Sequence, residues 1–170
     1  NNIMANLFGA NLSDGQPAGS ARLNHSRQRV TTFSRSGVAS VGDVMVLGYF
    51  KSSDIVKDIR VWMIDNSASA GTGDLGLYTA DFDNGSTTLT AVDQDLFETT
   101  PFVLNADIAY PGTDIITAGP LTDAARVKPL WEVAGLSADP GVTYAIAFTI
   151  IAAINSTIDL YADVRYVAGD

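Results

Sequence analysis

The sequence predicts an all-β domain, an antiparallel β-sandwich of jelly-roll-like type with an extended N-terminal arm. Three observations carry the prediction. The charged residues are skewed within each class, since seventeen of the 19 acids are Asp and seven of the 10 bases are Arg. Glu and Lys, which favour helices, are therefore scarce, and Asp favours turns. The 15 Gly and 6 Pro punctuate segments rich in Val and Thr, a composition that suits strands joined by turns. Finally, several apolar segments alternate with a period of two. At 170 residues and 46% hydrophobic content the chain is the size of one domain with a sizeable core.

Residues 1–40 are read as the arm and 41–170 as the sandwich. From 1 to 36 there is no sustained period of either kind, and Asn, Gly, Ser and Arg dominate. Val44, Val46, Gly48 and Phe50 then alternate with Met45, Leu47 and Tyr49, giving a strand apolar on both faces, as expected in a sandwich core or a subunit interface. The segment 55–64 is a second strand, with Val56, Asp58, Arg60, Trp62 and Ile64 on one side and Ile55, Lys57, Ile59, Val61 and Met63 on the other. DNSASAGTGD reads as a small-residue loop and LGLYTA as a third strand. The Asn84-Gly85 pair signals a hairpin, because a type I′ turn needs positive φ at both central positions. A short helical turn is expected around 93–98, and an irregular loop from Pro111 to Pro120. A strand or short helix broken by Pro129 follows over 124–136. Asp139-Pro140-Gly141 is a turn, after which 142–153 and 157–167 form two antiparallel strands. The total is seven or eight strands, the scale of a sandwich or jelly roll.

The absence of cysteine excludes disulfides, thiolate metal sites and thiol catalysis. Charge divides unevenly along the chain. Residues 1–42 hold Arg22, Arg27, Arg29 and Arg35 against Asp14, a net of +3, which leaves −12 of the total −9 for the remainder. An acidic body is not expected to bind nucleic acid directly, whereas a basic arm could touch nucleic acid or equally dock on an acidic protein surface. The first twenty residues lack the basic and apolar regions of a secretory signal. The longest apolar run, YAIAFTIIAAI, is too short to span a bilayer, so neither secretion nor a membrane role is expected.

Catalytic chemistry finds little support. The single histidine, His25, lies in the arm, where no buried carboxylate would orient it for a triad. Asp81 with Asp83, and Asp93 with Asp95, each share a strand face and could in principle ligate calcium or form a glycosidase pair, but DFDNG departs from EF-hand spacing. GTGDLG lacks the Lys-Ser/Thr ending and following helix of a phosphate loop. Neither an enzyme nor a cofactor is therefore expected. The two Trp and six Tyr could build a stacking platform for sugars or bases, although core and interface packing accounts for most of them more economically.

The order of segments supplies a resemblance. VMVLGYFKSSDIVKDIRVWMIDNSASAGTGDLGLY, then TAVDQDLF, then LWEVAGLSADPGVTYAIAFTIIAA and IDLYADVRYV together resemble a pattern of structural virion proteins of tailed bacteriophages. It covers residues 41–167 and leaves out the arm. The resemblance implies a capsid decoration or cement protein with no active site. Such a protein would bind the major capsid protein on the outer capsid surface, commonly as a homotrimer. It further implies that 74–78, 93–97 and 131–141 are fold-defining turns and packing positions. The arm would then be a tether, with Arg22, Arg27, Arg29 and Arg35 meeting acidic groups of the shell and Leu7, Phe8, Leu12 and Leu23 supplying apolar contacts. A receptor- or carbohydrate-binding head-fibre or tail accessory protein is the alternative.

Overall fold

The computed structural model describes residues 26–35, 39–65, 71–83, 85–98, 100–103, 107–115, 121, 123–154 and 158–169. Its strands are β1 (Ser26–Arg35), β2 (Val44–Lys51), β3 (Ile55–Asp65), β4 (Thr72–Asp83), β5 (Ser86–Asp93), β6 (Phe102–Val103), β7 (Ile108–Asp114), β8 (Thr143–Ala152) and β9 (Ile158–Val167). Two sheets form, one in the order β1-β9-β3-β7 and the other β2-β8-β4-β5, with the short β6 also pairing with β4. All of the strand pairings are antiparallel. The chain passes between sheets at each step from β1 to β2, β2 to β3, β3 to β4, β6 to β7, β7 to β8 and β8 to β9, and this order is that of a jelly roll.

The core fills the space between the sheets. From one side come Ile59, Val61, Met63, Leu160 and Val164, and from the other Met45, Leu47, Leu75, Leu77, Ile146 and Phe148, all at most 1% exposed. Two bulges adjust the alternation. The β3–β9 register shifts between Val56 and Asp58, so Val56 joins the core face with Ile59 and Val61 instead of lying beside Arg60 as strict alternation predicts. In β2 the register shifts between Val46 and Gly48, and Met45, Leu47 and Phe50 all reach the core despite their uneven spacing.

Two readings of the sequence change. Ser26–Arg35 is a full strand, in continuous register with β9 from Ser26↔Val167 to Arg35↔Ile158, so the sheet begins well before residue 41. Its order comes from the neighbouring strand, which supplies the backbone partners. Ile108–Asp114 is also a strand, although it runs through Pro111. It is tolerated because β7 lies at the sheet edge, where a missing N–H breaks no outer ladder. Gly112 there has φ +79°, and a Cβ would come within 2.2 Å of the Val61 carbonyl oxygen. Of the two alternatives around Pro129 the short helix holds, with a 3₁₀ turn at Asp123–Val127 before the proline and one turn of helix, α1 (Leu130–Val133), after it that buries Leu130.

Candidate functional site

The segments that carry the family resemblance meet in pairs. Along one edge of β4, β5 pairs from Leu77 onward and β6 pairs only at Thr72 and Gly73, leaving residues 74–76 between them. The turn 94–98 fills that gap. The Phe97 N–H donates to the Leu75 carbonyl at 3.1 Å, and the Leu75 N–H donates to the Glu98 carboxylate. Gly76 is required, since a Cβ there would stand 2.2 Å from the Gln94 oxygen and 2.4 Å from that of Asp93. GTGDLG is thus a strand packed on a turn. Burial raises the Glu98 carboxyl to about 7 against the opposing Leu75 hydrogen bond, with Asp74 and Asp95 adding to the rise. Burial also raises Asp74 and Asp93, each with Asp95 nearby.

At one end of the sandwich the Lys51–Asp54 turn grips the Trp131–Gly141 segment. The Leu130 and Trp131 N–H groups donate to the carbonyls of Asp54 and Ser52, and Ser52 Oγ donates to Asp139. Asp139 also accepts from the Gly141 N–H at 2.9 Å, and these two bonds hold its carboxyl below the usual range, led by the one from Ser52. Asp54 accepts from Lys51 N–H and Gly169 N–H, each at 2.9 Å. These residues organise the fold.

Two sheet faces remain as candidate binding surfaces. On the outside of β2-β8-β4-β5, the central strand TYAIAFTIIA has no charged residue and is apolar on both faces. Ala145 and Ala147 lie on its outer side, covered by Val46 and Tyr78, with Val44, Tyr49 and Leu89 packed around them. Tyr49 of β2 and Phe82 of β4 meet edge-to-face, with ring centroids 5.1 Å apart. Phe82 remains 55% exposed. The Tyr78 hydroxyl is hydrogen-bonded with Thr149, and burial raises its pKa.

The outer face of the other sheet is different. Arg60 pairs with Asp58 at 2.9 Å, and Arg165 with Asp163 at 3.7 Å. At the sheet edge Arg126 bridges Asp114 at 2.9 Å and Asp123 at 3.2 Å. Burial raises the Asp58 carboxyl, opposed by Arg60 and reinforced by Asp114. Beside these charges Trp62 stacks on Tyr161, with centroids 5.6 Å apart and planes within 2°, and meets Tyr110 edge-on at 5.2 Å.

The expected contact residues are only partly placed. Arg27, Arg29 and Arg35 lie on β1, opposite Tyr166, Val164 and Ile158 in the ladder. Arg22, Leu7, Phe8, Leu12, Leu23 and His25 lie outside the described residues. Asp81 and Asp83 are exposed near the β4–β5 hairpin tip. No group of three or more metal-ligating side chains occurs among the described residues. The two sheet faces were missed in part because alternation identifies an outward position without revealing what its neighbours on adjacent strands are. The two-sided apolar pattern of 44–50 was the signal for one of them.

No family model matches the chain, and no curated protein matches its sequence. Among solved structures it is similar to a chain of the cyanophage Pam1 capsid asymmetric unit, at 13% identity and TM-score 0.39, covering 91% of this chain and 99% of that one. A chain of the Ralstonia phage GP4 capsid is similar at 11% identity and TM-score 0.40, covering 91% of this chain and 90% of the other.

Proposed function

We propose that the chain is a structural protein of a tailed-bacteriophage virion, acting by binding rather than catalysis. In its finer form the reading is a capsid decoration or cement protein that docks on the major capsid shell as a homo-oligomer, on the outer surface. The observation that carries it is the charge-free central strand of β2-β8-β4-β5, whose outward side chains join an apolar cluster that leaves Phe82 and Ile151 exposed, in a protein whose net charge is −9. Exposed apolar side chains such as Phe82 and Ile151 gain free energy when covered, and the central strand beside them contributes no ion to be stranded. The order of sequence segments across 41–167 supports the same reading.

A rigid jelly roll suits this role because the sheets need no rearrangement to present the face. The basic residues that precede β2 would add a salt-sensitive attraction to acidic groups of a shell. The test is cosedimentation with matching capsids, together with light scattering of the free protein. An oligomer that pellets with shells is expected, and a monomer with no affinity for them overturns the proposal.

A further inference from the structure

We propose that the aromatic row Tyr110–Trp62–Tyr161, on the outer face of the β1-β9-β3-β7 sheet, is a stacking subsite for a neutral pyranose. This face lies on the opposite side of the sandwich from the proposed shell-docking face, so one could be occupied while the other stays open. Trp62 and Tyr161 are ladder partners on adjacent strands. Their rings are parallel within 2°, and Tyr110, which is 76% exposed, closes against Trp62 at 89°. The Gly112 backbone, with its positive φ, brings β7 close enough to β3 for that contact.

What favours a sugar is the polarity on either side of the row. Counting along β3 and β9, the next outward pair in one direction is Arg60 with Asp163, and in the other Ile64 with Asp159. Two residues along a strand cover about 7 Å, so each flank lies within one pyranose width of the aromatics. The Arg60 side chain is 32% exposed and donates hydrogen bonds, while Asp159 accepts them. A pyranose matches this arrangement, with an apolar ring face to set on an aromatic and hydroxyls at its rim that both donate and accept. Anionic saccharides fit less well, because Asp159 and the net charge of −9 repel them.

The experiment uses the full chain. The protein has two tryptophans, so a Trp131→Phe variant leaves Trp62 as the fluorescent reporter. It is titrated with the methyl pyranosides of glucose, galactose, mannose and N-acetylglucosamine, and the wild-type chain is screened on an array of neutral and sialylated oligosaccharides. A saturable change in Trp62 emission is expected for at least one neutral sugar. Tyr110→Ala should weaken binding at least tenfold while leaving thermal unfolding and shell cosedimentation unchanged. Absence of a response to every neutral saccharide overturns the proposal, as does loss of shell docking in Tyr110→Ala, which would assign this face to a protein partner. Failure of shell docking in the wild-type chain would count against the structural role and leave the sugar titration to be read by itself.

Discussion

Glu98 is expected to make stability fall as pH rises from about 4.5 to about 7. Its carboxyl is 7% exposed and accepts the Leu75 N–H, and its pKa is raised to about 7 from an ordinary 4.5. Below that window both folded and unfolded states hold the proton. Within it the unfolded chain ionises while the folded chain keeps the proton, so each step upward in pH favours unfolding. At 1.36 kcal/mol per unit the full shift corresponds to about 3.4 kcal/mol, and residual contact with solvent reduces the expected effect to roughly 2 kcal/mol. Glu98→Gln keeps an acceptor for Leu75 and removes the ionisation. Urea unfolding of both proteins at several pH values from 4.5 to 8 should give matching stabilities at the acid end and a variant more stable by roughly 2 kcal/mol at the alkaline end. The difference between the two curves isolates Glu98 from Asp74 and Asp93, which also titrate upward. A difference that does not change with pH would refute the reasoning.

Deleting residues 1–25 should leave the β circular-dichroism signal intact, whereas deleting 1–36 removes the ten-residue β1 ladder and should cost on the order of 5 kcal/mol in urea unfolding. Equal stability of the two truncations would contradict a structural role for β1. Gly76→Ala forces a Cβ to within 2.2 Å of the Gln94 oxygen and should lower stability by about 1–3 kcal/mol, measured by thermal unfolding. Phe82→Asp places a charge on the exposed rim of the apolar face, and about tenfold or greater loss of shell cosedimentation is expected without loss of fold.

The strands legible in the sequence are those whose own residues supply the pattern. The run from Thr143 to Ala152 carries enough continuous apolar character to be seen unaided, and Gly85 takes the positive φ, 81°, that its hairpin signal required. The less legible elements owe their structure to a partner. β1 has no period of its own and is ordered by pairing with β9, and β7 contains a proline that only an edge position accommodates. The bulge at Lys57 likewise depends on how β3 fits β9, so strict alternation put Val56 on the wrong face. The aromatic row was beyond reach for a related reason. Trp62, Tyr110 and Tyr161 are far apart in sequence, and only the strand order makes them neighbours.

Ser26 and Val167 are ladder partners, so the chain enters and leaves the jelly roll at the same end, where Gly169 is also held to Asp54. This matters for attaching cargo. A protein fused after residue 169 would emerge beside Ser26, at the end of the sheet where β1 begins. The opposite end, marked by Arg35 and its partner Ile158, lies a full strand length away. Insertions on that side would keep a passenger clear of Ser26 and of Gly169 with its bond to Asp54.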